Sequence, residues 1–126
     1  MIRHGEAPFL ECSTRGDRRF SAFFARVYVE GKGTRCIEDH YQAFKVFEDG
    51  KTGLSWQDAK GKSPVNYDEA KAFYGWLWDE YIRCNPHLLP ILKKWPGLSD
   101  IYGQKGRCCQ ATELWRIRNA KPETAT

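Results

Sequence analysis

Glu38, Asp39 and His40 stand side by side in the stretch CIEDHYQAFKVF, which begins at Cys36 and ends at Phe47. Carboxylates and an imidazole are the residue types that move protons or ligate metals. Their spacing limits what they can do together. Successive residues of an α-helix point about 100° apart, so three neighbours cannot face one pocket. Glu38 shares a face with Tyr41, and Asp39 with Gln42. His40 falls with Ile37 and Phe44, which makes it a packing residue rather than a base. The competing reading is a solvated helix start, where carboxylates are common because the helix dipole favours them. On residue type alone that reading is the stronger one.

Other constellations carry less. Cys84-x-x-His87 and the vicinal pair Cys108-Cys109 offer four zinc ligands, but not at the spacing of two zinc knuckles. They read as small buried thiols, and no metal or cofactor is expected. Phe9, Phe20, Phe23, Tyr102 and the five Trp could stack a base. Phe20 and Tyr102 sit in loop-like contexts where a ring is accessible, whereas Trp76 and Trp78 suit helix packing. The sequence holds no phosphate-binding P-loop, no G-x-G-x-x-G after a strand, no G-x-S-x-G and no H-E-x-x-H.

The elements that must position these residues follow from periodicity and punctuation. Pro8 to Cys12 suits a short strand, and residues 23–30 suit a second, ended by Gly31-Lys32-Gly33. Thr34 is placed to cap a helix from Cys36 to about Glu48, with Ile37, Tyr41 and Phe44 as its buried stripe. LSWQDAKGKSP reads as a short helix and a loop. Asn66-x-x-Glu69 has the spacing of a capping box. It opens the longest helix, whose stripe is Ala70, Phe73, Tyr74, Leu77, Trp78 and Tyr81. That helix ends near Asn85. PHLLPILKKW predicts a further helix, shortened or kinked by Pro90. PGLSDIYGQKG reads as a Gly-rich loop. RCCQATELWRIRN predicts the last helix, with Ala111, Leu114, Trp115 and Arg118 on one side.

The fold class is therefore α+β: a mostly helical single domain over residues 1–119 with a small N-terminal β-sheet, and a flexible tail over 120–126. The 126 residues fit one domain, and the net charge of +4 favours anionic ligands or a nucleic-acid surface. Five cysteines without framework spacing read as reduced thiols in a cytoplasmic protein. There is no long apolar run and no signal-peptide h-region, so no membrane partner is expected.

Four segments, in order, resemble the NADAR (YbiA-like) family. RRFSAFF is similar to the family's "FSNF" segment through Phe20, Ser21 and Phe23. CIEDHYQAFKVF matches the "EH-x-FQA-x-K" segment through Glu38, Gln42, Ala43 and Lys45. EYIRCNPHLLPIL matches a third through Asn85, Pro86 and Leu88, and DIYGQKGRCCQATELWRIR a fourth through Gly103, Gly106, Leu114 and Arg118. The colinear match covers residues 9–118. Ala22 stands where the family has Asn, Asp39 where it has His, Tyr102 where it has Trp, and Cys108 where it has Asn.

The resemblance implies a YbiA-like fold and cleavage of an N-glycosidic bond at a ribose. The first expectation is removal of ADP-ribose from ADP-ribosylated guanine in nucleic acid; the next is cleavage of a related ribose-phosphate nucleotide. It implies Glu38 as the catalytic carboxylate and Phe20, Ser21, Lys45, Tyr102, Gly103 and Arg107 as substrate-binding residues. Lys45, seven residues on, is expected on the same helix face, to reach a phosphate or pair with Glu38. Arg18, Arg19, Lys105 and Arg107 are loop cations suited to phosphates. Phe20, Tyr102 or Trp78 would stack the base. The expected partners are an ADP-ribose-containing or nucleotide substrate and modified DNA or RNA. Two further readings are an ADP-ribose or nucleotide-binding module without turnover, and a small basic nucleic-acid-binding protein.

Overall fold

The computed structural model describes residues 1–121, so residues 122–126 of the expected tail at 120–126 lie outside the described residues. The described residues form a single α+β domain with five α-helices. The strands are β1 (Ile2–Gly5), β2 (Phe9–Glu11), β3 (Arg26–Val29), β4 (Gly33–Cys36) and β5 (Gly97–Asp100). The helices are α1 (Ile37–Phe44), α2 (Trp56–Ala59), α3 (Tyr67–Cys84), α4 (Leu88–Lys94) and α5 (Gln110–Arg118). A short 3₁₀ turn covers Arg18–Phe20.

The sheet is not purely N-terminal. Its order is β1-β5-β2, with β5 in the centre, antiparallel to β1 and parallel to β2. The segment expected as a Gly-rich loop thus supplies the central strand. Small residues let it sit there. All four residues of β5 are buried, and a Cβ on Gly97 would come within 2.6 Å of Phe9 Cδ1. Backbone pairing on both edges, rather than apolar alternation, holds it in place.

β3 and β4 form a separate hairpin. Thr34 lies inside β4 and caps nothing; Cys36 is the N-cap of α1 and makes no side-chain cap bond. The helix start is instead satisfied from outside. Ile37 N donates to Ala25 O at 2.9 Å and Glu38 N to Ala22 O at 3.0 Å, which takes up two N–H groups that a helix leaves unpaired. α1 also ends earlier than the expected Glu48. Thr52 Oγ1 donates to Lys45 O at 2.9 Å, and Gly53 N to Ala43 O at 2.9 Å. Asn66 donates through Nδ2 to Phe44 O at 3.1 Å and accepts at Oδ1 from Val46 N at 2.8 Å. The side chain expected to cap α3 therefore terminates α1, and α3 starts without a side-chain cap.

The core lies between these elements. α5 packs on β1 and β5, and α3 packs against α1, α5 and β3. From α3, Ala70, Tyr74, Leu77, Trp78 and Ile82 are buried, close to the expected stripe. Ala111 and Leu114 of α5 are fully buried. Pro90 falls in the first turn of α4, where its missing N–H has no intrahelical partner to lose. No described helix is long and apolar enough to cross a membrane.

Candidate functional site

A cleft of about 770 Å³ opens where α1, the α2–α3 connection and the loop after β5 meet. That volume lies within the range of about 300–1,000 Å³ typical of small-molecule sites. α1 lends it Glu38, Tyr41 and Gln42, and Lys45 enters from the residue just past the helix end. The early stop of α1 matters here. Lys45 is in an extended conformation (φ −61°, ψ 137°), so its side chain does not continue the helix face as expected.

Glu38 Oε1 accepts a hydrogen bond from Gln42 Nε2 at 2.8 Å, one helical turn on. Burial pushes the Glu38 carboxyl above its ordinary value, and the Gln42 amide and the Lys45 ammonium pull it partly back. Burial likewise holds Lys45 below the usual lysine value, with Glu38 opposing the shift. The Lys45 ammonium donates to Lys62 O at 3.3 Å and stands 5.2 Å from the centre of the Tyr41 ring. Among the described residues it makes no salt bridge with Glu38. Gln42 is itself buried, and its Oε1 has no hydrogen-bond donor among the described residues. A buried acceptor left that way costs about 1–3 kcal/mol.

The facing wall is built by a hydrogen-bond chain. Gln110, at the start of α5, accepts from Ala22 N at 2.7 Å and donates to Asp100 Oδ2 at 3.0 Å. Asp100 Oδ2 also accepts from the Cys109 thiol at 3.6 Å, and Oδ1 from Tyr102 N at 3.0 Å. Ala22 carries both ends of the connection, because its carbonyl receives Glu38 N. The end of β5, the start of α5 and the start of α1 are thereby fixed to one another. Asp100 and Gln110 both border the cleft. On the rim stand Lys60, Lys62 and Arg107, all exposed. Phe23 and Trp56 meet edge to face at 5.3 Å, and both border the cleft.

Of the expected site residues, Glu38, Lys45, Tyr102, Gly103 and Arg107 line this one cleft. Tyr102 is 58% exposed, and its hydroxyl accepts from Arg15 Nε at 3.2 Å. Gly103 borders the cleft where a Cβ would come within 2.7 Å of Ile2 Cγ1, so it also serves packing. Phe20 and Ser21 do not reach the cleft, because both are fully buried. Asp17 accounts for this. It accepts from Arg19 N at 3.0 Å through Oδ1 and from Phe20 N at 3.0 Å through its carbonyl, and the resulting turn folds the ring into the core. Phe23 supplies a cleft ring instead. Trp78 is also fully buried, so it is no stacking surface.

Among the loop cations, Arg18 lies over the Phe24 ring at 4.8 Å and Arg19 pairs with Asp17 at 2.6 Å. Neither they nor Lys105 line the cleft. His40 is buried, and its Nε2–H donates to Val27 O at 2.7 Å, a packing role that ties α1 to the hairpin. Cys84 is exposed at the end of α3 beside Arg83 and Glu80. Among the described residues no group of three or more His, Cys, Asp or Glu is arranged to hold a metal ion.

The cleft also contains residues that sequence reasoning missed. Gln42 had a usable signal, its place four residues after Glu38. Asp100, Gln110, Lys60 and Lys62 come from segments far along the chain and nothing local marks them, whereas Trp56 is one of the rings expected to stack a base. Together the cleft offers a half-buried carboxyl, a cationic rim and aromatic walls. Such a site can bind an anionic, ring-bearing ligand and stabilise positive charge that develops beside Glu38. No family model matches the chain, and no curated protein matches it.

Proposed function

We propose that the protein is a hydrolase of N-glycosidic bonds with a YbiA-like fold, of the NADAR kind. Its substrate on this reading is ADP-ribosylated guanine in DNA or RNA. The observation that carries the proposal is the half-buried Glu38 carboxyl, hydrogen-bonded to Gln42 in a nucleotide-sized cleft that Lys45 also lines. Breaking the bond from ribose C1 to the base nitrogen builds oxocarbenium-like positive charge on the ribose. The Glu38 carboxylate stabilises that charge and takes a proton from the attacking water. The base nitrogen leaves with the bonding pair and is protonated, and the water oxygen ends on C1. Lys60, Lys62 and Arg107 suit the phosphates. Phe23, Trp56 and Tyr102 suit stacking against an adenine or guanine ring.

The test is incubation with ADP-ribosylated DNA, free ADP-ribose, NAD and riboflavin-pathway nucleotides, with products resolved by chromatography. Release of ADP-ribose from the modified DNA supports the proposal. Tight ADP-ribose binding by calorimetry with no product from any of the four would replace it with a binding module.

A further inference from the structure

Gln42 is only 4% exposed, lines the cleft, and spends its amide N–H on Glu38 at 2.8 Å. That leaves its Oε1 as a buried acceptor without a donor among the described residues. Beside it, the second oxygen of Glu38 makes no hydrogen bond among the described residues, since the carboxyl's one bond runs from Gln42 to Oε1. The i, i+4 spacing on α1 sets the two side chains on one side of the helix. The cleft floor therefore presents two adjacent acceptors, and what fills them must bring two donors.

Several groups carry two donors. A cationic ligand is disfavoured, because Lys45, Lys60, Lys62 and Arg107 already surround the cleft. A neutral pair of adjacent hydroxyls meets the need without adding charge. We propose that Gln42 and Glu38 together form a recognition site for the vicinal diol of a ribosyl group, with Gln42 Oε1 accepting from one hydroxyl and Glu38 from the other. This rests on the reading of the cleft as a ribosyl-hydrolase site and assigns Gln42 the discrimination between ribose and 2-deoxyribose. Gln42 also holds Glu38 in position through its N–H. A site that binds a polar group by hydrogen bonding rejects an analogue lacking it, because the buried acceptor is then left unpaired.

The test compares binding of ADP-ribose with that of its analogue lacking the C2 hydroxyl on the terminal ribose, by calorimetry on the native protein and on Gln42→Met. The native protein should prefer ADP-ribose by about tenfold, the worth of one hydrogen bond. In Gln42→Met, whose fold is checked by its thermal transition, the ratio should fall to near one. Should that variant fail to fold, the ratio in the native protein decides alone. Equal native affinities, no binding of either ligand, or a ratio unchanged by Gln42→Met overturns the proposal. A Gln42-dependent affinity for dideoxyguanosine monophosphate, which has no diol, assigns the acceptors to a base edge and overturns it too. Failure of the hydrolase reading looks different: the diol preference persists while ADP-ribosylated DNA stays intact.

Discussion

Replacing Gln110 with Met should destabilise the whole domain, because that one amide joins three separate segments. Its Oε1 accepts from Ala22 N at 2.7 Å and its Nε2 donates to Asp100 Oδ2 at 3.0 Å. Met has similar volume, so little cavity forms and the cost comes from the lost hydrogen bonds. Ala22 is 2% exposed, and its N–H would become a buried orphan, costing about 1–3 kcal/mol. Asp100, at 5% exposed, would lose one of its three donors, and a bond to a charged group is worth about 1.5–3 kcal/mol. The sum is about 2.5–6 kcal/mol, a large share of the roughly 5–15 kcal/mol that holds a domain folded. For a chain of this length that corresponds to a fall in Tm of about 10–25 °C. Scanning calorimetry reads it directly. The same substitution should loosen Glu38, since Ala22 O receives Glu38 N at 3.0 Å. A fall below about 3 °C would refute the idea that this amide holds the two cleft walls together.

Other perturbations separate the parts of the account. Glu38→Gln should raise Tm at pH 7. Burial raises the folded-state pKa of Glu38 above its unfolded value, so the associated stability is fully present below the unfolded pKa and is lost as pH rises through the folded one. The gain in Tm should therefore vanish in acid, and a Tm difference independent of pH would contradict it. Asn66→Ala removes the bonds to Val46 N and Phe44 O and should cost about 1–3 kcal/mol, seen as a lower urea midpoint at unchanged slope. Gly97→Ala should cost about 1–3 kcal/mol in the same assay, because its Cβ would lie 2.6 Å from Phe9 Cδ1. A neutral result there would mean that β5 does not run between β1 and β2.

The sequence made the long helices legible because their signals are local. The α3 stripe repeats at three and four residues and is buried much as expected, through Ala70, Tyr74, Leu77 and Trp78. β5 was illegible because Gly97, Ser99 and Asp100 look like turn residues, and only pairing with two distant strands makes them a strand. Asn66 satisfied a local capping pattern, yet tertiary contacts took its side chain to the end of α1. The site divides the same way. Glu38, Gln42 and Lys45 lie within eight residues, so spacing could bring them together. Asp100 and Gln110 join them only through the folded chain, and the burial of Phe20 depends on the turn that Asp17 closes. A ring in a loop is not by that fact exposed.

The role proposed for the Glu38 carboxyl is to perform the chemistry of the cleft. It is tested most directly by following release of ADP-ribose from ADP-ribosylated DNA with the native protein and with Glu38→Gln, after both thermal transitions have verified the fold. Release by the native protein is expected, with a fall of about 100-fold or more in the variant, the scale of a lost electrostatic or acid–base group. Hydrolysis at the native rate by a folded Glu38→Gln protein would contradict it.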